Sequence, residues 1–322
     1  MRAYVCTKYG PPEVLELRDV PKPVPKDDEV LIKVRATTVN SGDWRVRSRN
    51  VPPGFGLLVR LALGWSGPRQ PILGTELAGD VEEVGKSVRA FRAGDAVVAF
   101  SGVGMGCHAE YKVMRESAAI VPKPARLTYD EAATLCFGGT TMLDYYRRGK
   151  LKRDDEVLVN GASGTVGVAA VQLAKHFGAR VTGVCSTGKV ELVRSLGADE
   201  VIDYRHSDFT QNGKRYDVIV DTAGTAPYQR SKGSLKDGGA LLIVLGGLPE
   251  TLATLWRGAT TRHRFVAGPA SEKPDDVRTL AELAQSGELK PVIDRRYPFE
   301  RMLDAHRYVD EGHKAGSVVV TL

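Results

Sequence analysis

At 322 residues the chain is long for one domain and comfortable for two, and its 42% hydrophobic content without low-complexity tracts is that of an ordinary globular protein. A net charge of +6, from 45 basic and 39 acidic residues, favours small anionic ligands; the basic residues are dispersed, which counts against a nucleic-acid partner. Cys6, Cys107, Cys136 and Cys185 show no paired spacing, so no disulfide framework is expected and a reducing cytoplasm fits, while the most apolar stretches, Gly54 to Trp65 and Ala240 to Gly247, are too short to span a bilayer.

Met1 to Val5 runs directly into strand-like sequence with no signal-peptide-like apolar region. Glu29 to Arg35 alternates polar and apolar residues with period two, as a half-buried strand does. Asp95 to Phe100 and Glu110 to Met114 read as further strands separated by glycine turns. The first 120 or so residues therefore form an antiparallel, β-rich module. Between Asp43 and Pro71 lies a long segment, Arg45 to Gln70, with apolar runs at Phe55 to Val59 and Leu61 to Leu63. It reads as a lid or pocket wall, a short core helix or a dimer contact.

After Pro122 the texture changes to alternating helix and strand. A helical stretch from about Tyr129 to Arg148 leads into an apolar strand, Glu156 to Asn160. The turn Gly161-Ala162-Ser163-Gly164-Thr165-Val166-Gly167 follows, and Val166, Ala170, Leu173 and Phe177 then recur at helical spacing. Ala162, Gly164 and Gly167 keep the spacing of G-x-G-x-x-G with alanine for the first glycine, a weak signal alone. In this strand–turn–helix context the turn presents free N–H groups and the positive end of a helix dipole, which suit a pyrophosphate.

Arg180 to Cys185 is a second strand, followed by a helix carrying Val190, Leu192, Val193 and Leu196. Val201 to Asp203, Asp217 to Asp221, Ala240 to Leu245 and Arg264 to Ala267 are four more strand-like runs. This alternation predicts a doubly wound parallel sheet with a dinucleotide across the carboxyl ends of its strands. Pro274 starts a helix with Val277, Leu280 and Ala284. The tail returns to β texture at Lys290 to Ile293 and Ser317 to Val320, and is expected to complete the amino-terminal module.

Ala36 to Asp43, Leu73 to Gly79, Gly94 to Val97, His108 to Tyr111, the glycine turn and Gly312 to Gly316 occur in one order along the chain. With these landmarks the sequence resembles the zinc-independent medium-chain dehydrogenase/reductase superfamily, in its quinone oxidoreductase group. The resemblance implies an α/β fold: a GroES-like antiparallel catalytic domain from residues 1–122 and 270–322, and a Rossmann domain from 123–269. Homodimers that pair edge strands are common in the group, and the candidate edge here is Arg264 to Ala267.

Alcohol dehydrogenases of the superfamily hold zinc with a Cys, the His of Gly-His-Glu and a second Cys. Here those positions read Asn40, Thr75 and Cys136, and the four-cysteine structural lobe is missing, so no metal is expected. Without zinc to polarise an alcohol, the expected reaction is hydride delivery from NADPH to a quinone or an α,β-unsaturated carbonyl. Asn40 either donates a hydrogen bond to the developing oxyanion or orients the nicotinamide ribose. Asp43 is a structural anchor or, alternatively, a general acid. A 2-enoyl thioester reductase and a non-catalytic NADPH-binding protein, structural or nucleic-acid-binding, are the alternatives.

An acidic residue about 20 positions past the turn would select NAD. The end of the second strand instead reads Cys185-Ser186-Thr187-Gly188-Lys189, whose hydroxyls and ammonium suit a 2′-phosphate. The resemblance adds Tyr204 and Arg205 beside the adenosine phosphate; otherwise Lys189 and Arg205 are solvated surface charges. It also sets Thr141, Gly224 and the run Leu245-Gly246-Gly247 toward the nicotinamide end, and Lys314 on a loop that reaches the cofactor. Cys107 and Cys136 are either reactive thiols or small buried hydrophobes.

Overall fold

The computed structural model describes residues 1–50, 56–246, 253–254, 258 and 260–322. Strands β1 (Arg2–Cys6) and β2 (Leu15–Asp19) pair antiparallel, and β3 (Glu29–Val39) follows. β3 runs four residues beyond the alternating stretch, because Ala36, Thr37, Thr38 and Val39 are all buried. Helix α1 (Ser41–Ser48) then leads through α2 (Gly56–Leu63) to β4 (Glu76–Val84), β5 (Ala96–Phe100), β6 (Tyr111–Arg115) and β7 (Ile120–Pro122).

The helix expected over Tyr129 to Arg148 is two helices, α3 (Tyr129–Ala132) and α4 (Cys136–Gly149). Thr128 and Glu131 form a capping box on the first. The second starts afresh because the Glu76 carboxylate accepts the N–H groups of Cys136 at 3.1 Å and Phe137 at 2.7 Å. A long-range cap of this kind has no local sequence signal.

Then come β8 (Glu156–Asn160), α5 (Thr165–His176), β9 (Arg180–Cys185), α6 (Val190–Ser195), β10 (Glu200–Asp203), β11 (Tyr216–Asp221), α7 (Tyr228–Ser231), β12 (Leu235–Ile243) and β13 (Arg264–Val266). These strands form a parallel sheet in the order β10-β9-β8-β11-β12-β13. The order reverses between β8 and β11, and a crevice at such a switch point is where α/β sheets bind nucleotides. β12 begins five residues before the expected Ala240 and ends at Ile243, which leaves Leu245 in the loop beyond the strand.

Helix α8 (Pro274–Ser286) buries Val277, Leu280 and Ala284 as its spacing predicts. Of the run Lys290 to Ile293, only Ile293 is in a strand, β14 (Ile293–Pro298); α9 (Met302–Asp310) and β15 (Ser317–Thr321) complete the chain. The second sheet has the order β14-β15-β3-β4-β5-β7, with β6 also paired to β3. β15 lies antiparallel to β3, so the carboxyl tail joins the sheet of β3 to β7, while β1 and β2 pair as a separate two-stranded sheet. The two sheets touch at the glycine turn: Gly316 donates its N–H to the Ser163 carbonyl at 2.8 Å, and Thr165 donates its hydroxyl to the Gly316 carbonyl at 2.7 Å.

Candidate active site

The site grows from the turn between β8 and α5. Gly161 has φ +84°, and a Cβ there would lie 2.5 Å from Thr222 Oγ1. A Cβ on Gly167 would stand 2.1 Å from the Gly161 carbonyl oxygen, so the helix backbone presses directly on the turn. Gly164 differs. Its φ is −76°, and the nearest atom to a Cβ would be 3.7 Å away. Packing does not require glycine there; its missing side chain leaves the first N–H groups of α5 open to the adjoining space.

That space is a cleft of about 680 Å³, bounded by Gly164, Thr165 and Val166 on one side and by Ser41, Gly42 and Trp44 of α1 on the other. A second cavity of about 420 Å³, lined by Asn160, Gly161, Val184 and Tyr204, lies beyond the turn, and Ala223 borders both. Asn160 Nδ2 donates to Asp221 Oδ1 at 2.8 Å and to Thr225 Oγ1 at 2.9 Å, which ties the ends of β8 and β11 at the switch point.

Lys314 lines the cleft and donates to Thr165 Oγ1 and, at 2.9 Å, to the Gly316 carbonyl. Burial lowers its ammonium pKa to about 8. A buried cation at the positive end of a helix dipole is electrostatically unfavourable until an anion joins it. The open N-terminus of α5 and Lys314 together therefore fit a pyrophosphate.

The other expected cofactor residues take up several different places. Thr141, Leu245 and Gly246 line the cleft, with the Thr141 hydroxyl donating to the Phe137 carbonyl at 2.7 Å. Gly247 lies outside the described residues. Gly224 has φ +72° and donates its N–H to Asp221 Oδ1 at 2.9 Å, but its neighbours Thr222 and Ala223 form the wall. Ser163 and Gly167 contribute to the turn rather than to the lining. Ser186, Thr187 and Lys189 stand at the carboxyl end of β9, and Tyr204 and Arg205 follow β10 alongside. Lys189 and Arg205 pair with no carboxylate among the described residues.

Asp203 is a residue that sequence reasoning missed. It ends β10 opposite Cys185 and puts a carboxylate beside the β9 terminus. A hydrogen bond from Thr187, with further support from the Arg205 N–H and His206, holds its pKa down to about 2. The signal was present as an acidic residue closing the neighbouring parallel strand.

Neither residue assigned to catalysis from sequence reaches the cleft. Asn40 is the N-cap of α1: its Oδ1 accepts from Gly42 N at 2.8 Å, and its Nδ2 donates to Thr75 Oγ1 at 2.7 Å. Asp43 is fully buried, accepting from Asn40 N and Gly74 N, both at 2.9 Å. The pair is a capping box that locks α1 onto the Gly74 turn. Both side chains brace this cap, which is the anchor role expected of Asp43, and one N–H of the Asn40 amide is not used by it among the described residues.

Asn40, Thr75 and Cys136 offer an amide, a hydroxyl and a thiol that burial pushes well above its ordinary value. This donor set does not suit a tetrahedral Zn²⁺. Among the described residues no three His, Cys, Asp or Glu side chains gather as a metal site, and no helix is long and apolar enough to cross a membrane. All four cysteines are buried and free, and burial pushes the Cys107 thiol to about 12, so these are packed hydrophobes.

Known families agree with this geometry. Residues 26–125 match an alcohol dehydrogenase GroES-like domain, and residues 196–320 match a family described as zinc-binding dehydrogenase. A chloroplast envelope quinone oxidoreductase homolog from Arabidopsis thaliana is 34% identical over 99% of this chain and 98% of its own length. The chain belongs to the medium-chain dehydrogenase/reductase superfamily, in its quinone oxidoreductase-like group. It is an oxidoreductase of that superfamily. An NADPH-dependent alkenal/one oxidoreductase from the same plant is 31% identical over 99% of this chain and 79% of its own. The solved quinone oxidoreductase from Coxiella burnetii superimposes with a TM-score of 0.87 at 26% identity, covering 100% of this chain and 99% of that one.

Within this oxidoreductase, Glu76 is the second residue that the sequence did not single out. It is fully buried, caps α4 and accepts the Thr38 hydroxyl at 2.5 Å. Burial raises its pKa to about 7 from an ordinary 4.5. Between these values the folded protein keeps a proton that the unfolded chain has released. The associated stability is fully present below about 4.5 and is lost as pH rises through about 7. Denaturant titrations at pH 4.5 and 8 are expected to show the wild type losing on the order of 2 kcal/mol relative to Glu76→Gln across that window. Parallel stability curves for the two proteins would contradict the assignment.

Proposed function

We propose that this protein is an NADPH-dependent reductase that delivers hydride to quinones or α,β-unsaturated carbonyls without a metal ion. The observation that carries the reading is the pair of cavities meeting at the switch point, with an uncapped helix N-terminus and Lys314 between them. The adenosine would occupy the smaller cavity and the pyrophosphate the Gly164–Val166 cradle. The nicotinamide end would then lie against Thr141, Leu245 and Gly246. The reduced nicotinamide supplies two electrons and a hydrogen as hydride, and solvent supplies the proton that completes reduction.

The chain's own contribution is a dry, shaped acceptor site. Trp44, Phe137, Tyr145 and Val309 give the cleft apolar walls that suit a conjugated acceptor. Tyr145 donates its hydroxyl to the Gly268 carbonyl at 2.6 Å, and burial raises its pKa to about 12, so it orders the wall and is no acid. The Asn40–Asp43 box sets the position of α1 and hence of Trp44. An acceptor whose carbonyl is already conjugated needs no Lewis acid, in keeping with the donor set at Asn40, Thr75 and Cys136. We take residues 1–122 and 270–322 as the catalytic domain and 123–269 as the nucleotide-binding domain. Four buried free thiols fit a reducing cytoplasm.

NADPH oxidation followed with ortho-quinones, para-quinones and alkenals, with and without a chelator, is expected to show turnover that chelation leaves intact. Activity abolished by the chelator would sink the metal-free reading, and no turnover at all would sink the reductase reading.

The preference for NADPH rests on Lys189 and Arg205, whose charges are unspent, while the Asp203 carboxylate is already held by Thr187 and His206. A charge-assisted hydrogen bond is worth about 1.5–3 kcal/mol. Lys189→Ala is therefore expected to weaken NADPH binding roughly tenfold or more in an equilibrium titration, with a much smaller change for NADH. Equal losses for the two cofactors would remove Lys189 from the phosphate site.

We also propose a homodimer. Among the described residues β13 pairs with β12 alone, which leaves its outer edge to accept the same strand of a second copy. Light scattering of the purified protein is expected to give twice the chain mass; a single-chain mass at micromolar concentration would end this idea.

A further inference from the structure

The wall of the cleft on the α1 side holds a cation with no carboxylate partner among the described residues. Helix α1 turns Gly42, Trp44 and Arg45 toward the cleft. The Arg45 guanidinium stacks over the Trp44 ring, 5.3 Å from its centre. Its Nε is buried without a hydrogen-bond partner, and no described carboxylate pairs with it.

The charges nearest in the lining are committed elsewhere. Asp310 also borders the cleft, but both its oxygens are taken by Arg47 Nη2, at 2.5 and 2.6 Å. Arg47 donates in addition to the Gly10 carbonyl at 3.0 Å. Lys314 is held by Thr165 and Gly316 at the α5 terminus. Phe137, Tyr145 and Val309, which line the same cleft, carry no anionic group.

A half-buried guanidinium without a partner destabilises a fold, because its desolvation is uncompensated. A carboxylate in the cleft would offset that desolvation by accepting two N–H bonds from the Nη side of the planar fork. Arg45 belongs to α1, whereas the pyrophosphate cradle belongs to α5, so the anion it would pair with is not the one the cradle takes. We propose that Arg45 is a specificity-determining residue that selects acceptors bearing a carboxylate close to the conjugated carbonyl. This rests on the reductase reading above.

The test compares trans-4-oxo-2-pentenoate with its methyl ester; the ester is intrinsically the more electrophilic alkene, so the acid-to-ester ratio of kcat/KM is read between wild type and variant, where intrinsic reactivity cancels. Arg45→Gln should reduce the acid-to-ester ratio tenfold or more, mainly through KM, and Arg45→Lys should keep most of it. Binding is read separately, with the saturated product levulinate and the NADP⁺-loaded protein, by quenching of tryptophan fluorescence. Its dissociation constant should rise at least tenfold in Arg45→Gln, and the variant should melt no lower than the wild type.

A ratio unmoved by Arg45→Gln, or no binding of levulinate, overturns the proposal. So does a loss of NADPH affinity equal to the loss for levulinate, which would assign Arg45 to the cofactor. Absence of turnover with either enone, alongside Arg45-dependent levulinate binding, would instead refute the reductase reading and leave the carboxylate site standing.

Discussion

The site depends on the contact between the start of α5 and the turn that precedes it. With Gly167 pressed on the Gly161 carbonyl, no side chain separates helix from turn, and the N–H groups of the first helical turn end where β8 and β11 diverge. An overpacked methyl at that point would push the helix away and tilt its dipole off the cleft. Gly316 and Thr165 bond across the same point, so the contact also sets how the two sheets meet.

A second constraint comes from buried polar groups that act at long range. Glu76 begins β4, yet it caps α4, which forms part of the opposite wall. Asp43 sits in the first turn of α1 and holds the Gly74 turn just before β4. These two carboxylates clamp α1, β4 and α4 into one frame around Thr75. An amide–hydroxyl hydrogen bond between Asn40 and Thr75 lies within that frame.

Much of the fold was legible because its periodicities are local. The parallel strands appear as short apolar runs, and the start of β3 as a partly alternating one, since burial largely follows position in the element. What misled were boundaries decided elsewhere. The break between α3 and α4 comes from Glu76, sixty residues away in sequence, and the placement of β14 follows from pairing with β15. Among site residues, Gly164, Thr165, Val166, Thr141 and Lys314 meet at the cleft as their motifs imply. Asn40 and Asp43 do not, because a residue that opens a helix can spend its side chain on the cap, and spacing cannot tell a cap from a catalytic group.

The amino-acid sequence by itself determined the alternation of strand and helix, the glycine-bearing turn at a helix start and the loss of the zinc ligands. Each is a property of residue type at fixed spacing along the chain. Only the tertiary structure decided which charges are spent. It showed that Asp310 is paired with Arg47, that Asp203 is held by the Arg205 N–H and His206, and that Arg45, stacked on Trp44, has no carboxylate partner among the described residues. Charge neutralisation depends on which groups lie within a few ångströms in space, and chain position does not encode that distance.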